Sequence, residues 1–152
     1  GTGSSSESMV QPEELPERYE SGTLNYHGVA GLNAGVRYVA GRLSQILSHE
    51  RELTTALYQG LSALPQVTVY SPAAEAGRAG IVSFNAGDLS SSQAADALDR
   101  AGFAVRGGLH CAPGTHAVLG TLRRGAVRAS VGHATTFEEI DAFLAAVQAL
   151  TS

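Results

Sequence analysis

The chain has 152 residues, 43% of them hydrophobic and 16% charged, with a formal net charge of −4. That length suits one ordinary domain, the apolar share argues for a packed core over disorder, and the acidic balance argues against a nucleic-acid footprint. No run approaches the roughly 18 apolar residues of a membrane span. A single cysteine excludes an internal disulfide and is too little for a structural zinc site, and no targeting peptide is visible, so a reducing, cytoplasmic setting is expected.

Residues 1–20 carry Glu7, Glu13, Glu14, Glu17 and Glu20 against Arg18 alone, ahead of a neutral body. All ten basic residues are arginine; without a lysine, no Schiff-base chemistry starts from this chain alone. Opening on Gly1-Thr2-Gly3 with no Met, the chain reads as a piece of a longer protein. Residues 1–27, rich in Gly, Ser, Glu and Pro without periodicity, are expected to be extended, and residues 28–152 to form a helical linker plus an α+β domain.

A helix is expected from Gly28 to about Ala40, with Val29, Leu32, Val36 and Val39 on one face. A longer one follows, whose stripe of Leu43, Ile46, Leu47, Leu53, Leu57, Leu61 and Leu64 reads as buried, and Pro65 ends it. Short strands are expected at Val67–Tyr70, Gly80–Phe84, Phe103–Arg106 and Gly125–Val131. Capping-box spacing at Ser90–Gln93 and Thr136–Glu139 opens two further helices, the last with Phe137, Ile140, Phe143, Leu144, Val147 and Leu150 on its face. Together these imply a two-layer α+β domain in which the long and the terminal helix cover one face of a small sheet.

The chemistry concentrates in Arg106-Gly107-Gly108-Leu109-His110-Cys111-Ala112-Pro113. Two glycines after a strand allow a sharp turn, and the only thiol sits on the loop they start. A lone cysteine is usually a small core hydrophobe, but a loop position near Arg106 favours a thiolate nucleophile, and the local features weigh the two equally. Arg128 lies in an otherwise apolar strand, where a guanidinium is costly unless it meets an anion. It is an internal salt bridge, an edge residue or a clamp for a substrate carboxylate. Gly1-Thr2-Gly3 offers the parts of a phosphate site or is simply a flexible terminus. His49 is read as solvated, and His27, His116 and His133 lie near turns with nothing pairing them as metal ligands, so no metal is expected. His110 is set apart only by adjoining Cys111, where it could polarise the thiol or the substrate.

Taken together, Gly1-Thr2-Gly3-Ser4, Tyr19-Glu20-Ser21-Gly22-Thr23-Leu24-Asn25, Arg106 to Pro113 and Val127-Arg128-Ala129-Ser130 resemble the C-terminal part of a cysteine desulfurase of the class V aminotransferase family. The likeness runs end to end, departing at Leu24 and Thr135, where the family usually has Pro and Asn, and at Tyr26 and His27. It implies the small, mostly antiparallel C-terminal domain of a fold-type I pyridoxal-phosphate enzyme, with the Schiff-base lysine in a large domain outside this chain. It further implies that Cys111 takes sulfur from L-cysteine as a persulfide and that Arg128 binds the substrate carboxylate, supported by Arg106. Thr2 with Gly1 would reach the cofactor phosphate of the partner subunit in a homodimer. Glu20, Gly22, Thr23 and Asn25 match a segment shaping the site near the dimer interface, and His110 is a supporting candidate. The persulfide sulfur would pass to an acceptor protein for iron–sulfur cluster or thiocofactor assembly. A selenocysteine lyase or other class V lyase shares every visible feature; a non-catalytic dimerisation module is the reading from outside enzymes.

Overall fold

The computed structural model describes residues 7–20, 22–73 and 79–151, and among these the chain separates into two compact units, Gly1–Leu43 and Ser44–Ser152. In the first unit, residues 7–20 carry no regular helix or strand. Helix α1 (Tyr26–Ala40) starts where the Asn25 side chain accepts a 2.9 Å hydrogen bond from the Gly28 amide, satisfying one of the helix's free N–H groups. None of its residues is buried, and the apolar face of Val29, Leu32, Val36 and Val39 is exposed.

The second unit is built on helix α2 (Leu43–Ala63), of which it holds all but the first residue, and a four-stranded sheet. The expected stripe of α2 is buried only in its C-terminal half: Leu53, Leu57 and Leu61 are buried, whereas Leu43 and Leu47 are exposed. Strands β1 (Val67–Val69), β2 (Ile81–Ala86), β3 (Arg106–Gly108) and β4 (Ala126–Ser130) line up in the order β1-β2-β4-β3, every neighbour antiparallel. Because β2 and β3 both run antiparallel to β4, they are parallel to each other. Helix α3 (Ser91–Arg100) connects them, and β4 enters the gap afterwards.

Alternation sorts the sheet's two faces. Val82, Phe84 and Ala86 of β2 and Val127 and Ala129 of β4 point into a core shared with α2, with Ala94 and Leu98 of α3, and with Ile140, Phe143 and Val147 of helix α5 (Phe137–Leu150). Phe143 meets Phe84 and Phe103 edge-on, with ring centroids 6.1 and 5.4 Å apart. Both expected capping boxes form, Ser90 with Gln93 and Thr136 with Glu139. The alternate residues along the strands, Ser83 and Asn85 of β2 and Ala126 and Arg128 of β4, belong to the opposite face. No helix among the described residues is long and apolar enough to cross a membrane.

One strand lies elsewhere than expected. Phe103–Val105 are outside the sheet, and β3 instead takes Arg106 and both glycines. Gly107 belongs there because β3 runs close under the start of α3. A Cβ on it would stand 2.8 Å from the Ser91 carbonyl carbon and closer still to its oxygen. Gly107, which read as part of a loop, is therefore what lets β3 approach the helix.

Candidate active site

The register brings the two arginines together. Arg106 lies directly opposite Arg128 across the β3–β4 pair, and Ser83 faces Arg128 from β2. Directly opposed residues of an antiparallel pair project from the same face, so two guanidinium groups share one patch, an arrangement that is unfavourable unless an anion joins them. β4 is an inner strand, which removes the edge reading for Arg128. The Arg128 Nε is buried and has no hydrogen-bond partner among the described residues. A buried, unsatisfied charged donor on a two-arginine face is suited to a bidentate carboxylate.

The thiol sits on the turn that leaves β3. Cys111 is free and exposed, so it is not a core hydrophobe. The Ala112 amide donates to the Leu109 carbonyl at 2.9 Å, and the two residues between them have φ of 51° (His110) and 58° (Cys111). Positive φ at both central positions is the signature of a type I′ turn, which usually takes Asn-Gly or Gly-Gly. Residues with a Cβ pay about 1–2 kcal/mol each for that conformation. Gly108, at φ 123°, leads into it without that cost.

Helix α4 (Pro113–Val118) follows at once, with Pro113 in its first turn, and it carries a buried histidine. His116 Nδ1 is 2.7 Å from Thr121 Oγ1, and its ring lies 5.9 Å from that of His110. His110 Nε2 donates to the Ala126 carbonyl at 3.0 Å, while its Nδ1 is buried without a partner among the described residues. Burial is the main cause that holds the His110 pKa below its usual 6.5; the Arg128, His116 and Arg106 charges push the same way, and the carbonyl bond opposes them.

Asn85 and Arg124 carry no signal of a supporting role in the sequence, and His116 is placed there only near a turn. Asn85, just past the expected end of the second strand at Phe84, lies within β2. It is buried, and its Nδ2 donates to the Tyr70 hydroxyl (3.1 Å) and the Gly125 carbonyl (3.0 Å). Arg124 donates to the carbonyls of Leu89 (2.7 Å), Ala86 and Gly87, while its own carbonyl accepts from Ser91 N and Oγ. It thereby ties the turn before β4 to the start of α3. His116 needed the short α4 to be seen. The polarity of Asn85 and Arg124 beside apolar strand residues carries no direction by itself.

The remaining candidates fall elsewhere. His49, expected to be solvated, is half-buried: its Nε2 lies 2.8 Å from the Thr135 carbonyl and its ring stands edge-on to Phe137. Asn25 belongs to the first unit, where it caps α1. Gly1, Thr2, Gly3, Ser4 and Ser21 lie outside the described residues. No cluster of potential metal ligands occurs among the described residues.

The chain resembles known proteins over most of its length. Residues 3–143 match the model of the class-V aminotransferases. The chain is 38% identical over 138 residues to a probable cysteine desulfurase of Synechocystis sp., covering 90% of the chain and 32% of that protein. To a cysteine desulfurase of Salmonella agona it is 35% identical over 133 residues, covering 87% of the chain and 32% of that protein. The apo structure of a cysteine desulfurase from Thermococcus onnurineus superposes with a TM-score of 0.79 at 38% identity, covering 90% of the chain and 34% of that structure. The chain thus spans about a third of the length of the relatives it matches.

Proposed function

The chain belongs to the class-V aminotransferase family, and on that premise we propose that its full-length protein is a cysteine desulfurase in which this chain supplies the sulfur acceptor and the carboxylate clamp. The observation that carries the reading is the exposed thiol of Cys111 on a strained turn, tied to the strand that bears Arg128, whose buried Nε has no partner among the described residues. Arg128, with Arg106 opposite, binds the α-carboxylate of L-cysteine and fixes the substrate's orientation. Cys111, as thiolate, attacks the substrate sulfur. A sulfur–sulfur bond forms, the carbon–sulfur bond breaks with its electron pair on the carbon side, and a proton taken up there completes L-alanine. The sulfur keeps its hydrogen and remains on Cys111 as a persulfide, so no external oxidant is consumed.

The family implies pyridoxal phosphate. The described residues do not make its site: the chain has no lysine, and the buried donor of Arg128 suits a carboxylate rather than an aromatic ring. We assign the cofactor to the full-length protein, with its lysine outside these residues and Thr2 with Gly1 contributing to the phosphate of a partner subunit in a homodimer. Glu20, Gly22, Thr23 and Asn25 are assigned to the segment near that interface. Transfer of the sulfur to an acceptor protein for iron–sulfur cluster or thiocofactor assembly, in the cytoplasm, completes the proposal.

The test is one turnover of the full-length protein with L-cysteine, followed by alkylation and peptide mass analysis. The reading requires alanine and a gain of one sulfur confined to the peptide containing Cys111. Alanine release at an undiminished rate with Cys111 unmodified would overturn it, and would favour a lyase that frees its sulfur or selenium without a protein persulfide.

A further inference from the structure

We propose that His110 is the positioning residue of the sulfur-accepting turn: its ring N–H, donated to the Ala126 carbonyl, staples a backbone that would otherwise relax, and so fixes Cys111 relative to Arg128. The part given to Cys111 rests on the desulfurase reading; the staple itself does not.

The turn from Leu109 to Ala112 places two residues with side chains in left-handed conformations, and such a turn persists only where its surroundings over-determine it. One backbone hydrogen bond, Ala112 N to Leu109 O, closes it from within. From outside, the His110 ring reaches β4 at Ala126, two residues before Arg128 on the same strand, so thiol and clamp are held by one piece of backbone. The ring is itself backed by His116, which is buried and held by Thr121.

The hydrogen-bond pattern separates this role from acid–base work. A carbonyl only accepts, so Nε2 carries the proton and Nδ1 keeps its lone pair. Nδ1 is buried and has no partner among the described residues, Cys111 included, so it does not hold the thiol. The charged and titratable groups acting on the ring are Arg128, His116 and Arg106, all cationic or neutral, and they favour the neutral imidazole. Neutral or charged, Nε2–H still donates to Ala126, and the staple holds in both states.

The test uses the full-length holoenzyme with His110→Ala and His110→Gln, reading kcat and KM for cysteine, persulfide at Cys111, and hydrogen exchange of the Ala112 amide. His110→Ala should lower kcat between about tenfold and 100-fold with KM for cysteine held within about twofold, and should expose the Ala112 amide to exchange. Glutamine carries an amide N–H to the same carbonyl, so His110→Gln should restore both protection and turnover to within about threefold of the parent. Turnover as poor in His110→Gln as in His110→Ala, with Ala112 still protected in His110→Gln, would overturn the proposal in favour of ring chemistry. Retention of both protection and turnover in His110→Ala would overturn it outright. If His110→Ala fails to fold, His110→Gln against the parent carries the test, and loss of either readout there overturns the staple. Should the parent form no persulfide at Cys111, the desulfurase reading falls, and Ala112 exchange alone still decides the staple.

Discussion

Replacing Cys111 by glycine removes the thiol and should nevertheless stabilise the chain. The residue sits at φ 58° with its side chain exposed, so truncation forfeits little packing. Relief of the left-handed conformation returns about 1–2 kcal/mol. Against that, glycine's larger freedom in the unfolded chain costs about 0.5–1 kcal/mol, leaving a net gain near 0.5–1 kcal/mol. For a chain of this size that is a rise in Tm of roughly 1–4 °C. The proper comparison is Cys111→Ala, which removes the sulfur but keeps a Cβ and therefore the strain. Urea unfolding of parent, glycine and alanine variants at fixed pH should place the glycine midpoint highest, with m unchanged across the three. A glycine variant no more stable than the alanine variant would refute the reasoning, because it would mean that the turn stores no strain at Cys111. A stabilised but inactive protein would show that the thiol's placement is held at the expense of the fold.

Other outcomes follow from the same geometry. Arg128→Lys in the full-length enzyme should raise KM for cysteine about tenfold or more, since an ammonium cannot reproduce a bidentate fork; an unchanged KM would make Arg128 a structural residue only. Gly107→Ala should destabilise by about 1–3 kcal/mol, because the new methyl meets the Ser91 backbone, which has no rotamer to yield; a urea midpoint equal to the parent's would contradict the tight approach of β3 to α3. Stability should also respond to acid through His110. Its pKa in the folded chain lies below the unfolded value of 6.5, so below about pH 6.5 the unfolded chain binds a proton that the folded one refuses. The contribution is full above that pH and is lost as pH falls toward the folded pKa. His110→Gln should flatten that limb of the urea midpoint plotted against pH, and an unaltered slope would exclude His110 as its source.

What the sequence disclosed, and what it concealed, divides along physical lines. Local chemistry was legible: the capping boxes at Ser90 and Thr136 are set by residues three apart, and both form. Periodicity was legible in the middle of α5, where Ile140, Phe143 and Val147 are buried, and misled at helix starts, where Phe137 of α5 and Leu43 and Leu47 of α2 are exposed. The third strand was displaced because Phe103 and Val105 have strand-like side chains while Gly107 and Gly108 do not. The deciding factor was how closely a strand can approach the Ser91 backbone, a tertiary distance that no propensity encodes. The chemical residues Arg106, His110, Cys111 and Arg128 could each be nominated from type and context. That Arg106 opposes Arg128, and that His110 turns to a backbone carbonyl and not to its neighbour's sulfur, depends on register and turn geometry.

The strand order β1-β2-β4-β3 has a consequence for assembly during synthesis. When β3 and the thiol turn have emerged from the ribosome, β3 still lacks its sheet neighbour among the described residues, β4, which is made afterwards. The same strand brings the carbonyl of Ala126, the guanidinium of Arg128 and the inner row of Val127 and Ala129. Acceptor turn and Arg128 therefore gain their shared strand only once β4 is made, between two strands that precede it in the chain. A nascent chain halted before Ala126 presents a thiol without its scaffold, and one extended through Ser130 has the whole face at once.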